Sequence, residues 1–110
     1  MSSLWPLLRG RVYAARLSNL DEDKYFLVVS NNRRNNQLQQ VLAVRLTTTT
    51  KPDLPSIVRL GPAEAFTGSV VCDDLVEIWQ DEVTRDLGAL SPTAMAAVSR
   101  GLMAALDLSP

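Results

Sequence analysis

The chain has 110 residues, 46% hydrophobic and 21% charged, with a net charge of −1. That is enough for one domain with a real core, and it is globular rather than disordered composition. Histidine is absent and Cys72 is the only cysteine, which excludes an intramolecular disulfide, a cysteine-rich zinc site and Ser-His or Cys-His nucleophile pairs.

The chain opens on "MSSLWPLLRG", a short arm over residues 1–8 whose apolar patch is interrupted by Pro6 and lacks a basic leader, so a secretory signal is not expected here. No stretch approaches the ~20 apolar residues of a membrane span. A cytoplasmic protein of a single domain, residues 1–110, is expected. "GRVYAARL" (Gly10 to Leu17) reads as a first strand, "SNLDED" as a turn and "KYFLVVS" (Lys24 to Ser30) as a buried second strand. "NNRRNNQLQQ" (Asn31 to Gln40) is too polar for core and reads as a loop with room for a helical turn.

"VLAVRLTTT" is a third strand running into four threonines and Lys51. β-Branched threonine is common at strand ends, so the run is either a fraying strand or a place where one hydroxyl serves chemistry. Two prolines in "KPDLP" break the pattern before a short fourth strand, Ser56 to Leu60. "GPAEAFTG" is a turn-rich connector, Ser69 to Trp79 a fifth strand and Thr84 to Leu90 a short sixth. The period then changes: Ser91 is placed as an N-cap and Pro92 at the first helical position, with Met95, Val98, Leu102 and Leu106 at helical spacing. Gly101 costs that helix about 1 kcal/mol relative to alanine. Five or six short strands closed by one amphipathic helix give a mainly β (α+β) fold, a small antiparallel barrel or half-barrel.

Charge is unevenly placed. Residues 1–60 carry nine Lys/Arg against four Asp/Glu, and residues 61–110 carry two against eight. This arrangement either presents a basic face to a phosphate-bearing partner or disappears when the halves mix in space. Without histidine, catalysis falls to Lys, Arg, carboxylates, Tyr or hydroxyls.

Six pieces in order resemble the MazF/PemK family of bacterial toxin endoribonucleases, with an actinobacterial-like branch the nearest in pattern: "LRGRVYAARL", "KYFLVVSNN", "AVRLTTT", "LPSIVRL", "CDDLVEI" and "LGALSPTAMAAVSRGLMAALDL". The resemblance implies a small SH3-like barrel with a C-terminal helix, forming a homodimer. It implies the toxin of a type II toxin–antitoxin system, cutting single-stranded RNA, often mRNA, without metal or cofactor. Its partner would be a cognate antitoxin that lays an extended acidic segment in the groove.

Carried over by position, the family's catalytic hydroxyl falls on Thr47 and its catalytic arginine on Lys24, a departure from the family pattern. RNA can be cut without metal when its own 2′-hydroxyl attacks the adjacent phosphorus, leaving a 2′,3′-cyclic phosphate and a 5′-hydroxyl. A cation and a hydroxyl aimed at one phosphate stabilise the growing charge. Asp21, Glu22 and Asp23 are the candidate bases. Arg33, Arg34, Arg45, Thr48, Asn31 and Asp74 are the expected RNA-binding residues, "NNRRNN" supplying amide and guanidinium groups suited to unstacked bases. Tyr13 and Phe26 read as core, and Trp5 or Trp79 as an interface anchor. The alternative is a non-catalytic barrel of the gyrase-poison kind, or a decayed binder of RNA or antitoxin; the chain ends "LDLSP" rather than in the Trp-Gly-Ile of the gyrase poisons.

Overall fold

The computed structural model describes residues 4–18 and 21–108. Six strands and two helices follow in chain order: β1 (Arg11–Ala15), β2 (Lys24–Val28), α1 (Asn32–Gln37), β3 (Gln40–Thr47), β4 (Ile57–Arg59), β5 (Ser69–Trp79), β6 (Val83–Ala89) and α2 (Pro92–Leu106). A single 3₁₀ turn, Gln80–Glu82, joins β5 to β6. All pairings are antiparallel, in the order β4-β5-β3-β2-β1-β6. The SH3-like barrel expected from the sequence is therefore an open, bent sheet with β4 and β6 at its edges.

The bend has a cause in β5. Between Val44 and Arg45 of β3 the partner jumps from Leu75 to Val71, so Cys72, Asp73 and Asp74 form a wide bulge. A bulge of this kind bends and twists a strand. The first third of β5 pairs with β4 on one side and the end of β3 on the other, while the part beyond the bulge pairs with β3 alone.

Alternation gives the sheet two apolar faces. Val12, Leu27, Val44, Leu46 and Val70 face α2, where Ala94 and Val98 complete the cluster. Tyr13, Phe26, Val28, Val41, Ala43 and Ile78 face the other way, covered by Leu7 of the N-terminal arm with Trp5 packed beside it. Tyr13 and Phe26 are thus core, as their sequence context suggests.

In α2 the expected caps form: the Ser91 hydroxyl accepts the Ala94 N–H at 3.0 Å, and Pro92 opens the helix. The buried line is not the expected one, however. Ala94, Val98 and Gly101 are buried while Leu106 is exposed. The helix lies too close to the sheet for large side chains: a Cβ on Gly101 would stand 2.8 Å from Cys72 Sγ and 3.1 Å from Val58 Cγ2. Gly101 is a packing residue, and its propensity cost is the condition for that approach.

Candidate functional site

Even-numbered residues of β2 and odd-numbered residues of β3 point toward the arm, and most of them are apolar. Past Phe26 and Ala43, that side of the sheet turns polar at its end. The register Tyr25↔Leu46 and Phe26↔Arg45 brings Lys24, at the start of β2, opposite Thr47, at the end of β3, with Arg45 one row inside. These three residues share a cleft of about 460 Å³ whose walls include Tyr25, Thr48 and Phe66.

The strand end fixes the hydroxyl. Thr49 N–H donates to Thr47 Oγ1 at 3.1 Å, so this oxygen has an acceptor's role filled while its own proton remains to be donated. Behind it lies Gly68 at φ +110; a Cβ there would be 2.3 Å from the Thr47 carbonyl oxygen. Only glycine lets the chain entering β5 pass so close beneath Thr47.

The cations differ. Lys24 is bound by the Glu22 carboxylate. Arg45 makes no ion pair among the described residues, and its Nε is buried without a protein acceptor. A buried donor with no partner is costly and calls for an acceptor. The Lys24 ammonium, first by its hydrogen bond and then by its charge, holds the Glu22 carboxyl below the usual carboxylate range, with Arg45 adding to the effect.

The three candidate bases are separated by their contacts. Asp23 accepts from Arg16 Nε at 3.1 Å and from Thr84 Oγ1 at 2.8 Å, so both oxygens are engaged. Asp21 and Glu22 are both exposed and outside the cleft lining, which Asp23 joins. Glu22 alone touches a cation of the groove.

Four of the expected RNA-binding residues are not brought to this groove. Asn31 caps α1 through its side chain, accepting the Arg34 N–H at 2.8 Å. Arg34 is committed to Gln40, by bonds of 3.2 Å to its carbonyl and 2.9 Å to its side chain. Arg33 is exposed on the same short helix, and all three sit at the opposite end of the β2–β3 pair from Lys24 and Thr47. What read as a polar loop is anchored by Asn35, buried and bonded to Ser30. Asp74 is exposed on the β5 bulge, outside the cleft lining.

Sequence reasoning passed over Tyr25, Phe66 and Gly68. Tyr25 is 41% exposed beside Lys24, and an exposed aromatic flanking a cation in a strand was a signal available in the sequence. Phe66 sits in a segment that reads only as connector. Cys72 is buried within the core, and burial first, with Asp73 adding to it, pushes its thiol up to about 11. It is structural. Among the described residues, no three His, Cys, Asp or Glu side chains are grouped to hold a metal, and no helix is long and apolar enough to cross a membrane.

Comparison with known proteins agrees with this architecture. Residues 8–106 match the family described as PemK-like, MazF-like toxin of type II toxin–antitoxin system. The chain is 40% identical over 101 residues to endoribonuclease MazF1 of Mycobacterium bovis, covering 92% of this chain and 93% of that one. Among solved structures it is similar to an endoribonuclease in complex with its cognate antitoxin from a mycobacterial species (39% identity, TM-score 0.85, 94% and 97% of the chains covered). A second mycobacterial endoribonuclease matches at 37% identity and a TM-score of 0.88, covering 99% of each chain.

Proposed function

The chain belongs to the PemK-like, MazF-like toxins of type II toxin–antitoxin systems, and we propose that it cuts single-stranded RNA, mRNA foremost, in the groove shared by Lys24, Arg45 and Thr47. One observation carries this reading above others: two cations and an oriented hydroxyl converge on one cleft, and the buried Arg45 Nε–H has no acceptor of its own. A phosphate fits that donor set.

The chemistry needs one group beyond these, a base. Arg45 and the Thr47 hydroxyl donate to the non-bridging oxygens of the scissile phosphate, where negative charge grows as the 2′-oxygen attacks. Glu22, ionised and next to the cations, takes the 2′-hydroxyl proton. Lys24 gives a proton to the departing 5′-oxygen as the P–O bond breaks. The products are a 2′,3′-cyclic phosphate and a 5′-hydroxyl. Glu22 occupies Lys24 before substrate arrives, so the incoming phosphate exchanges one anion for another on the ammonium. Tyr25 offers an exposed ring on which an unstacked base can lie. Thr48 lies on the wall of the same groove and can bond a flanking phosphate or sugar.

The cognate antitoxin is the natural protein partner, as in the mycobacterial complex; an extended acidic segment would compete for the same cations. We assign the whole chain to one toxin domain acting in the bacterial cytoplasm, where mRNA is found. It pairs as a homodimer, for which Trp79, 48% exposed, and Leu75, 38% exposed, leave apolar surface on one side of β5.

The test is incubation of the purified protein with long single-stranded RNA in EDTA and mapping of the new 5′ ends, beside Lys24→Ala and Thr47→Ala. Discrete cuts with 5′-hydroxyl ends, lost in both variants, are expected. No cutting by the folded wild-type protein across diverse RNAs would overturn the nuclease reading in favour of a binding module.

A further inference from the structure

Thr48 and Thr49 are walls of two clefts. One is the groove above; the other, of about 310 Å³, is lined also by Thr50, Lys51, Arg59 and Ser69 among others. The sheet relates the two. Thr47 pairs with Ser69 and Ser69 with Arg59, so Arg59 stands in the same cross-strand row as Thr47, two strands away, or roughly 10 Å between backbones. Directly paired residues project to the same side of a sheet. Lys24, Thr47 and Arg59 therefore share one face at one end of the molecule.

Among the described residues neither Lys51 nor Arg59 makes an ion pair. Two arginines are neutralised, Arg11 by Asp86 and Arg16 by Asp23, while the rest, like Arg59, make no ion pair among the described residues. Two cations sharing a cleft with hydroxyl neighbours and no bound carboxylate repel one another until an anion joins them. The lining is mostly hydroxyl and cationic, with Leu60 its one large apolar side chain. It has little to hold peptide side chains and much to hold a phosphate.

We propose that Lys51 and Arg59 form a second phosphate subsite for the same RNA strand. The chain crosses the threonine wall from the scissile phosphate at Lys24 and Arg45 to a flanking phosphate at Lys51 and Arg59. This rests on the nuclease reading but makes a separate demand: grip on the RNA extends past the cut site, and only substrates long enough to reach feel it.

The experiment compares binding of two labelled single-stranded RNAs centred on a mapped cut site, a dinucleotide holding only the scissile phosphate and an RNA of about 15 nucleotides, by fluorescence anisotropy over a salt series. It uses the full chain carrying Thr47→Ala to suppress turnover. Adding Lys51→Gln and Arg59→Gln is expected to weaken the long RNA roughly tenfold and make its salt dependence shallower by about 0.7 in log–log slope, the signature of one lost phosphate contact on a single strand. The short RNA should be little changed, and Arg85→Gln with Arg100→Gln, two exposed cations outside both clefts, serves as the charge-matched control. Equal losses on both RNAs, or none on either, would overturn the subsite. So would loss of binding to a poly-glutamate peptide with RNA binding intact, which would assign the cations to an acidic protein. Absence of cleavage by the wild-type protein would sink the nuclease reading instead; cut sites are then undefined, any bound RNA of the two lengths serves, and the length and salt comparison still decides the subsite.

Discussion

Gly68→Ala tests whether the fold sets the chemistry. The residue has no side chain to offer a substrate, yet a Cβ there meets the Thr47 carbonyl oxygen at 2.3 Å and Thr48 Cα at 3.2 Å. Cβ contacts below 3.0 Å are essentially unobserved, so β5 and the end of β3 must separate by about 0.7 Å or more, in the range where misplaced catalytic groups lose ~10²-fold in rate. The backbone adds its own cost: φ +110 is a conformation that side chains pay about 1–3 kcal/mol to adopt. In a domain of this size that lowers Tm by on the order of 5–15 °C. Cleavage at one mapped site should be followed well below the melting point, with a thermal melt on the same sample. Gly61→Ala is the control, since a Cβ there meets nothing within 4 Å. Gly68→Ala cutting within roughly threefold of wild type, an energy too small to matter, would refute the claim that this close approach positions Thr47.

Three further outcomes follow from the groove and the helix. Because Lys24 holds the Glu22 carboxyl below its usual range in the free protein, Glu22 stays an ionised base as pH falls through the ordinary glutamate value, and kcat/KM, which reports the free enzyme, declines only below it. Glu22→Gln should remove that acidic limb and cost ~10²–10⁴-fold in rate, whereas a preserved limb in the pH–rate profile would assign the base elsewhere. Lys24→Arg should hold KM while lowering kcat, since arginine keeps the charge and gives up its proton poorly; steady-state kinetics in which KM alone rises would contradict this. Gly101→Ala gains about 1 kcal/mol of helix propensity but overpacks Cys72 Sγ and Val58 at a cost of about 1–3 kcal/mol. Urea denaturation should show net loss, relieved when Cys72→Ala is added, and strict additivity of the two changes would exclude the contact as the cause.

The strands were legible because each carries its own punctuation. β5 matches its expected bounds from Ser69 to Trp79, as apolar alternation begins after Gly68 and stops at a polar turn. The cap of α2 was readable from Ser91 and Pro92 for the same local reason. The inward line of α2 was not, because closeness to the sheet selects Ala94 and Gly101 over Leu106, and no helical period records the distance to a neighbour. "NNRRNN" misled for a related reason: polar residues can be satisfied internally, and Asn35 is buried with its partners while Arg34 is spent on Gln40. The pairing of Lys24 with Thr47 needed the register of β2 on β3, which motif order supplied only through the family resemblance. Arg59 and Lys51 gave no such signal. They come together only because an edge strand and a threonine loop meet across β5.

Lysine at position 24 departs from the arginine expected there, and the groove suggests why the exchange is tolerable. One arginine asked to grip a phosphate and also protonate a leaving group serves the first task well and the second badly, since its proton is held too tightly. On the proposed reading the tasks are divided. Arg45, permanently charged and with a buried unpartnered N–H, supplies fixed, directional grip from within the sheet. Lys24, a compact ammonium on a flexible stem, supplies the proton and is kept in place by Glu22 until substrate displaces it. Geometric control lost at the first residue of β2 is thus recovered on the neighbouring strand, where Arg45 is fixed inside β3 opposite Phe26. The threonine run has the same logic: Thr47 is held by the last rung of the ladder and by Gly68, while the threonines after it, released from the sheet, become the wall over which the RNA must pass.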